Sequence, residues 1–586
     1  MIRLRSSGVS EMLIKRIPDW FDPGPGAFIT NPTSAFSPLS LFAADEQGAW
    51  YDPSDLTTLF QDAAGTTPVT AVEQPVGLML DKSKGLVLGS ELIANGNFSS
   101  GGTSWNLGNW TATTGSVSIS NNAGSIYQTV AVSGEYYEIT FTVTSISAGR
   151  IRAQSGFNYG SYVTSPGTYT QRVLASQVYA GVVADTGTTA TINFISCKKV
   201  TGNHAYQTTS ASRPVLSARV NLLTKTEQFD DAVWASTSVA ITANAAVAPN
   251  GTNTADLVIP TTTNVEHYLD VGIGAAISAV SGVSYRLAVS AKAGGYRWLR
   301  IAFNGSITPT SNRAAWFDLQ NGVVGTVQSG VTATITAQAN GNYLCSIERS
   351  ATASSTPPQF GFFQICNADN TTAFAGNGTS GIYLWGADLR VANDGVGIPA
   401  YQRVNTSTDY DTTGFPLYLK TDGVDDFMVT NSINFTGTDK MTVWAGLRYL
   451  SASFGIVLEE GNGVVTPTFS IWSTSTQAFY YASQGTGSSQ GASISVTYPA
   501  TVVGVGESSI STPLVRAKIN GGSYVSNTTT QGSGNYGNTP LYLFRRGGTT
   551  LPFNGRCYSL IVRGAQSTDA QITSTETWVD GKTKAY

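Results

Sequence analysis

Hydrophobic and polar residues alternate over short stretches through most of the chain. The stretch from Tyr136 to Val143 does so, and the stretch from Met441 to Tyr449 follows the same period of two. This period places one face of a β-strand on a core and leaves the other face outside it. The sequence contains no sustained heptad, which a coiled-coil shaft would need. The pattern therefore predicts an all-β protein of antiparallel β-sandwich domains in series, behind an irregular N-terminal segment.

Turn signals separate these strands. Asn321-Gly322 lies between two apolar runs and predicts a tight hairpin, and Asp422-Gly423 predicts another turn. Near the C-terminus, the sequence from Ser567 to Ile572 has the pattern of a single capped helical turn. We expect no long helix anywhere in the chain.

Two parts of the chain repeat one order of signals, which predicts a diverged duplication. Each copy has a Leu-rich opening with a Phe and a Trp, a Ser-Gly pair before an alternating strand, and a closing Ala-Tyr-Gln. The matching positions are Leu92, Phe98, Trp105, Ser133 and Ala205 in the first copy, and Leu222, Phe229, Trp234, Ser281 and Ala400 in the second. The predicted units are an N-terminal arm (1–48), a short connecting segment (49–88), a first module (89–204), a second module (205–404) and a third module (405–586).

The N-terminal arm is dense in Pro and Gly between Ile17 and Gly26, which favours an extended segment. Its apolar residues have no periodicity; they include Trp20, Phe21, Phe28, Phe36 and Phe42. We expect them to be buried against another protein or another subunit, with a self-packed loop as the alternative.

The composition excludes several classes of function. Charged residues make up only 12% of the 586 residues, about half the usual share. A net charge of −4 with scattered Lys and Arg argues against a nucleic-acid partner. No apolar stretch approaches the ~20 residues that span a bilayer. Met1 to Arg16 lacks the apolar centre of a signal peptide, so we expect assembly in the cytoplasm rather than export.

Metal and thiol chemistry have little support. His204 and His267 lack a second ligand at metal-binding spacing, and we expect no metal site and no cofactor. The cysteines form no CxxC pair and are predicted to be buried free thiols: Cys197, Cys345, Cys366 and Cys557.

Short stretches of the first two modules resemble known sugar-binding and phage modules. The opening from Leu92 to Phe98, with Trp105 and Trp110 after it, resembles the start of carbohydrate-binding-module jelly rolls. The second module, through Gly295 to Arg300 and the hairpin from Trp316 to Gly325, is similar to jelly-roll modules of phage tail and minor structural proteins.

The remaining parts carry related resemblances. Thr421 to Phe427 and Thr442-Val443-Trp444 resemble the laminin-G/concanavalin-like lectin fold, and Trp50 to Gly85 resembles a segment that precedes such modules in phage structural proteins. The combination implies a bacteriophage virion-surface protein, a tail fibre or spike component. It implies attachment to other virion proteins through the N-terminal arm, a homotrimer, and binding of bacterial surface polysaccharide during host adsorption.

The candidate ligand-binding residues are aromatic residues beside polar ones. Strand alternation predicts Tyr296, Trp298 and Arg300 on one face and the aliphatic residues between them on the core. A Trp that stacks on a sugar beside an Arg that donates hydrogen bonds suits a sugar or an acidic sugar. For Trp298, a place under a loop or at a subunit interface explains the residue equally well. Trp105 and Trp110 are further candidates, with Tyr159 and Tyr162, although core or edge packing explains these four better.

Catalysis is not predicted. Asp425-Asp426 and Glu459-Glu460 are adjacent on their strands and project to opposite faces, so neither pair can form a glycosidase site. Asp422, Asp425 and Asp426 could suggest calcium, but an Asp-Gly turn with solvated acids explains them better. The alternatives to a receptor-binding role are a purely structural head fibre, decoration or connector protein, a depolymerising tailspike, and a bacterial adhesin.

Overall fold

The computed structural model describes residues 36–272, 277–308, 313–463 and 466–586. These residues form 38 β-strands and one α-helix, arranged in five sheets whose strands pair antiparallel. This confirms the predicted all-β class. The N-terminal strands are β1 (Gly48–Tyr51), β2 (Leu59–Phe60) and β3 (Leu78–Met79).

The first sandwich domain follows. Its strands are β4 (Leu88–Glu91), β5 (Thr111–Thr113), β6 (Ser116–Gln128), β7 (Tyr136–Ala148), β8 (Ile151–Ser155), β9 (Asn158–Tyr159), β10 (Gly167–Leu174) and β11 (Ala180–Val200). Two linker strands come next, β12 (Ala205–Tyr206) and β13 (Val215–Ser217).

The second sandwich domain has one seven-stranded sheet and one six-stranded sheet. Its strands are β14 (Ser236–Thr237), β15 (Val239–Ala246), β16 (Ala255–Pro260), β17 (Val265–Val271), β18 (Ser284–Gly294), β19 (Trp298–Phe303), β20 (Ala314–Asp318), β21 (Val323–Val327), β22 (Thr332–Ala337), β23 (Tyr343–Ser350), β24 (Gly361–Cys366), β25 (Ala373–Phe374) and β26 (Gly381–Val391).

The C-terminal part of the chain supplies the remaining elements. They are β27 (Tyr418–Lys420), β28 (Met428–Asn434), β29 (Lys440–Tyr449), β30 (Gly455–Glu460), β31 (Thr468–Ser473), β32 (Ala478–Gln484), β33 (Gln490–Ser495), β34 (Ala500–Ser509), β35 (Leu514–Ile519), β36 (Val525–Asn527), β37 (Asn538–Leu543), β38 (Gly555–Arg563) and helix α1 (Asp569–Thr583). Short 3₁₀ turns occur at Pro38–Leu41, Leu56–Thr58, Ser210–Ser212 and Ala339–Gly341.

A single large sandwich, here called the host sandwich, collects strands from three separate parts of the chain: 36–85, 201–217 and 405–586. One of its sheets has the order β13-β27-β38-β29-β34-β35-β36, and β1 pairs with β38, with Gly48 opposite Arg563. The other has the order β2-β3-β12-β28-β37-β30-β31-β32-β33. Tyr51, Met79 and Leu216 are buried in the same core as the C-terminal strands. The first and second sandwich domains are therefore insertions into the host sandwich.

These boundaries differ from the serial order that the sequence predicts. The connecting segment 49–88 and the start of the 205–404 module belong mainly to the host sandwich. Strands β2, β3 and β12 are only two residues long. They lie far along the chain from β28, the strand that pairs with β12 in the same sheet. Strands this short carry no visible alternation, and nothing local identifies a partner so distant.

Helix α1 is longer than the single predicted turn. Thr568 caps it, and the side chain of Gln571 completes a capping box as expected. The helix continues for 15 residues, and its buried positions are Ile572, Thr575, Glu576, Val579 and Thr583. These positions have helical spacing, but three of them are polar, so the 3.6-residue apolar period is invisible in the sequence.

The described part of the N-terminal arm packs on this helix and its sheet. Phe36 and Phe42 join Trp50 and Trp444 in one apolar cluster beside α1. Trp20, Phe21 and Phe28, which the sequence also assigns to the arm, lie outside the described residues.

The two inserted domains share their internal detail, in agreement with the predicted duplication. In each, a Tyr that follows the Ser-Gly pair accepts a hydrogen bond from the backbone N–H five residues before it, at 2.8 Å for Tyr137 and 3.0 Å for Tyr285. The Phe and Trp of the opening also pack together in each copy: the ring centroids of Phe98 and Trp105 are 5.3 Å apart, and those of the equivalent second pair 4.8 Å. Strands β7 and β8 correspond by connectivity and pairing to β18 and β19.

Candidate functional site

The first sandwich domain has one sheet surface that combines aromatic and arginine side chains. Strands β6, β8, β9 and the first half of β11 form this sheet, in which Tyr127, Gly181, Gln154 and Tyr159 lie opposite one another across four strands. Residues Ile126, Ala153 and Val182 alternate with them and point into the core. The outward-pointing residues define the first outward face: Ser125, Tyr127, Arg152, Gln154, Tyr159, Tyr179 and Val183, with Arg150, Phe157 and Tyr162 at its edges.

One end of the first outward face is aromatic. The ring centroids of Tyr127 and Tyr179 are 4.7 Å apart, and the ring of Phe157 meets Tyr179 edge-on at 6.4 Å. Phe157 is 66% exposed and Val178 beside Tyr179 is 51% exposed. Large apolar groups this exposed on a folded domain mark a surface that contacts something else.

The other end is built from guanidinium groups stacked on tyrosines. The Arg150 guanidinium lies 3.7 Å from the Tyr162 ring centroid, and that of Arg152 lies 4.0 Å from the Tyr159 ring. Arg150 also pairs with Asp185 at 2.7 Å. Slight burial favours the protonated acid, but the hydrogen bond from Arg150 prevails and holds the pKa of Asp185 below its usual value. Stacking fixes the planes of both guanidinium groups while their edges stay available as donors.

The opposite surface of the same domain has a different character. Its strands β7 and β10 carry threonines that hydrogen-bond in pairs, Thr140 with Thr170 and Thr142 with Thr168, each at 2.9 Å. Phe194 is an isolated exposed aromatic residue there, at 39% exposure. Aromatic residues are therefore concentrated on one of the two surfaces of the domain.

The second sandwich domain has an equivalent surface, the second outward face. It consists of Tyr268, Trp298, Arg300, Trp316, Phe362, Gln364 and Cys366, on strands β17, β24, β19 and β20. The residues between them, such as Leu299, Ile301 and Phe303, are buried in the core, which confirms the predicted alternation. Trp316, Gln364 and Arg300 are nevertheless only 2%, 1% and 6% exposed.

A loop over residues 367–372 closes the second outward face. The carbonyl of Thr371 accepts from the Trp316 indole at 2.9 Å, and that of Thr372 accepts from the Gln364 amide at 2.6 Å. Asp369 accepts from the backbone N–H and the hydroxyl of Thr326 on β21, at 2.9 and 3.0 Å. These bonds tie the loop to three strands, so the face is covered rather than open.

The structure places the three predicted residues of this face differently from one another. Trp298 is half-buried, with its ring over Gly325, where a Cβ atom would lie 2.6 Å from the indole. Arg300 is buried beside the Trp316 ring and hydrogen-bonds Gln364, and burial lowers its pKa. Tyr296 precedes β19 and packs on Phe374, because Gly295 with φ of 108° interrupts the extended backbone. The expected single face of three residues is therefore reduced to Trp298 and the covered Arg300.

Trp105 and Trp110 are core residues of the first domain. They are 8% and 3% exposed, and their indole N–H groups donate to the carbonyls of Asn95 and Gly124 at 3.1 and 2.9 Å. Their rings present no open face on which a sugar could stack. This corrects their assignment as ligand-binding residues.

The residues that form the first outward face are mostly ones that the sequence did not single out. Tyr159 and Tyr162 were candidates, but Tyr127, Phe157 and Tyr179 were not. Period-two alternation around Ile126 and Val182 places Tyr127 and Tyr179 opposite the core, so the signal existed. It was masked because β6 and β11 bend through irregular registers as they pass from one sheet to the other.

The acidic candidates have local structural roles. Carboxylate oxygens of Asp422, Asp425 and Asp426 lie within 4.8 Å of one another. Asp422 accepts from the backbone N–H groups of Val424 and Asp425 at 2.8 and 3.2 Å, as in an Asx turn. Burial raises the pKa of Asp426 to about 7.

The paired glutamates on β30 point to different partners. Glu459 forms an ion pair with Arg546 at 2.8 Å. Glu460 is fully buried and accepts from the backbone N–H of Gly537 at 2.9 Å, and burial raises its pKa to about 8. The four cysteines are free and buried, as predicted.

Comparison with known proteins gives a likeness in fold only. No family model and no curated protein matches the chain. Among solved structures, the chain is similar to the CBM40 of a Ruminococcus gnavus IT-sialidase bound to α2,3-sialyllactose, at 14% identity and a TM-score of 0.20 over 24% of this chain and 83% of that one. The tandem CBM22 domains of Paenibacillus barcinonensis Xyn10C give 11% and 0.20 over 52% and 98%. Mouse laminin α1 domains LG4-5 give 9% and 0.22 over 53% and 88%.

At these identities and TM-scores the likeness carries no conclusion about function. The fold class rests on the sheets themselves. Within the described residues, no helix is both long enough and apolar enough to cross a membrane.

Proposed function

We propose that the protein binds glycans through the first outward face and acts as a bacteriophage virion-surface component, a tail fibre or spike protein that contacts host polysaccharide. The observation that carries the glycan-binding part is the open strip of aromatic rings and stacked guanidinium groups on one surface of the first sandwich domain. The proposal includes no hydrolysis.

The chemistry of the strip suits a saccharide. The exposed ring of Phe157 and the half-buried ring of Tyr179 offer apolar surface to the C–H face of a pyranose, and Arg152 and Arg150 offer fixed donors for hydroxyl or carboxylate groups. Tyr127 and Tyr159 are separated by three strand spacings, or about 14 Å. A short oligosaccharide can therefore contact both ends of the face at once.

The first outward face differs from the second in how far its aromatic and arginine side chains are buried. Trp316 and Arg300 lie under the loop over 367–372, and the remaining rings of that face, Tyr268, Trp298 and Phe362, are half-buried. The proposal therefore assigns the principal site to the first domain and leaves Trp298 as a secondary contact.

Glycan binding is tested with the full-length protein and purified polysaccharides from a panel of bacteria. We expect saturable binding to one class, weakened about tenfold by Phe157→Ala and by Tyr127→Ala, by analogy with nucleic-acid bases, whose stacking on an aromatic ring contributes on the order of 1–3 kcal/mol. Phe194→Ala, on the opposite surface, is the matched control and keeps full affinity. Binding to none of the polysaccharides, or equal losses in all three variants, would contradict the proposal.

The virion assignment needs its own experiment. Antibodies raised against the chain should label particles released by lysis of the source cells and should block their adsorption. Labelling without an effect on adsorption would favour the alternative, a head fibre, decoration or connector protein. A receptor-binding component should also lose particle adsorption when Phe157→Ala is introduced.

A further inference from the structure

A cleft of about 950 Å³ lies between the host sandwich and the second sandwich domain, away from both outward faces. Residues of β27, β29 and β38 form one wall. Leu222, Val233 and Ile277 of the second domain line the opposite wall, beside Val280, which is 45% exposed. One wall is therefore polar and the other apolar.

The polar wall carries three cations in a single row. Arg448 on β29 is directly opposite Arg556 on β38, and Arg556 is directly opposite Lys420 on β27. Residues opposed in this way project to the same side of a sheet, with Cβ atoms about 4.5–5.5 Å apart. The adjacent row in the same register points into the host core instead: Leu447, Cys557 and Leu419.

Acidic partners are too few for this row. Asp394 pairs with Arg448 at 3.1 Å and with Arg556 at 2.9 Å through one carboxylate oxygen. Within the described residues, no carboxylate lies within ion-pair distance of Lys420. Like charges that face one another across strands destabilise a sheet unless a counter-charge is present.

A fourth cation borders the same cleft. The guanidinium of Arg219 donates hydrogen bonds to backbone carbonyls, among them those of Asn221 at 2.9 Å and Leu223 at 3.0 Å. It forms no ion pair with a described residue. The other lining acid is Glu73, which accepts from the hydroxyl of Ser217 at 2.6 Å. Among the lining residues, four cations therefore face two carboxylates, a formal excess of two positive charges, while Asp426 outside the lining interacts electrostatically with Lys420.

The members of the row differ in what they can offer a ligand. Arg448 is fully buried and donates to the Asn393 carbonyl at 2.8 Å and to Thr501 at 2.6 Å, so it is a structural residue. Lys420 is exposed, and Arg556 is partly exposed with its guanidinium 4.5 Å from the Tyr418 ring. The unpaired positive charge at the mouth of the cleft is thus that of Lys420, and Arg556, whose side chain is 11% exposed and paired with Asp394, lies beside it.

We propose that this cleft binds a small amphipathic anion, an oxyanion head group carried on an apolar body. The head group would meet Lys420 and Arg556, and the apolar body would lie on the Leu222, Val233 and Ile277 wall. The site is independent of the proposed glycan face, since the two share no residue.

The test uses a pair of matched fluorescent probes with the full-length protein. 8-Anilinonaphthalene-1-sulfonate carries an oxyanion, and N-phenyl-1-naphthylamine is its neutral counterpart. We expect saturable binding of the anion at one site per chain, about tenfold tighter than the neutral compound and weaker at high salt, because a partly exposed charge contact is screened. Equal affinity for both probes, or no saturable binding, would overturn the proposal.

Variants at Lys420 locate the site. Lys420→Gln should weaken binding of the sulfonate about three- to fivefold, the range for a partly exposed ion pair, and Lys420→Glu should abolish it. Lys440→Gln, on β29 outside the cleft, is the control and should bind normally. Unchanged affinity in Lys420→Glu, with an unfolding midpoint equal to that of the wild type, would contradict the assignment.

Displacement experiments identify the head group. Octanoate and octyl phosphate carry carboxylate and phosphate on the same apolar chain, and octanol carries neither. Displacement of the sulfonate by octanoate alone points to a carboxylate ligand, and displacement by octyl phosphate points to a phosphate ester. Displacement by octanol as strong as by either anion would overturn the role of charge.

Discussion

The first and second outward faces occupy the same place in two copies of one sandwich, yet one is open and the other is covered. On the first, Phe157 is 66% exposed, and Tyr127, Tyr159 and Tyr179 are each partly exposed. On the second, Trp316 is 2% exposed beneath the loop over 367–372. The strands and the core beneath them are alike, so the loop decides whether an aromatic residue is surface or interior.

An aromatic residue beside an arginine has a different structural role on each of these two faces. On the first outward face Arg150 and Arg152 stack on tyrosines at the protein surface, where a ligand can reach them. On the second, Arg300 hydrogen-bonds Gln364 and its side chain stays inside. The same residue types form a binding surface in one copy and a small polar core in the other.

The largest expected effect is that of Trp316→Ala. It removes a buried ring and leaves the carbonyl of Thr371 without its donor, which should cost about 3–5 kcal/mol in the free energy of unfolding. Urea denaturation followed by circular dichroism measures it. A loss below about 1 kcal/mol would show that the second outward face is not the interior surface described here.

A smaller effect is expected for Asp369→Ala, which loosens the loop without touching the aromatic residues. It removes two hydrogen bonds accepted by a carboxylate from Thr326, at a cost of about 1.5–3 kcal/mol. The variant should also let acrylamide quench more of the tryptophan fluorescence. Trp298→Ala made in the same background would show whether the new exposure belongs to Trp316, since quenching would persist without Trp298.

Each inserted domain contains an aspartate whose contribution to stability should depend on pH, and the two contributions should change with pH in opposite directions. Asp270, at the edge of the second outward face, is 8% exposed, and burial raises its pKa to about 6. A folded pKa above the unfolded value of 3.8 means that its contribution is complete below pH 3.8 and is lost as the pH rises through 6. Asp270→Asn should therefore raise the urea midpoint at pH 8 and change it little at pH 4.

The contribution of Asp185, in the first domain, to stability should have the opposite pH dependence. The hydrogen bond from Arg150 holds its pKa below 3.8, so its contribution is present at neutral pH and is lost as the pH falls through the lowered value. Asp185→Asn should therefore not stabilise the protein at pH 8. A gain in both variants would mean that removal of negative charge, rather than burial, accounts for the effect of Asp270→Asn.

The smallest effect is expected for Phe157→Ala. An exposed ring contributes little to the core, so the free energy of unfolding should change by less than about 0.5 kcal/mol. Differential scanning calorimetry checks this beside Phe194→Ala. A loss above 1 kcal/mol would make Phe157 a structural residue and would weaken the case for an open face.

The sequence was sufficient for what depends on short-range periodicity. The alternation from Tyr136 to Val143, the core positions Leu299 and Ile301, and the duplicated Ser-Gly and Tyr pattern all appear in the structure as expected. The sequence could not predict which loops or strands cover a given surface of a sheet. Whether Trp298 or Trp110 is exposed depends on loops and partner strands that are remote along the chain, and no local period records them.

The discontinuous build of the host sandwich has a consequence for synthesis. Its first strand, β1, pairs with its last, β38, so the sheet cannot close until nearly the whole chain has left the ribosome. At about 5–20 residues per second, Gly48 waits on the order of 25–100 s for Arg563. Both inserted domains are complete by then and can fold first as independent units. The early segment with Trp50 and Leu59 meanwhile remains an unpaired apolar stretch, so this nascent chain should depend on chaperones more than a protein with three consecutive domains would.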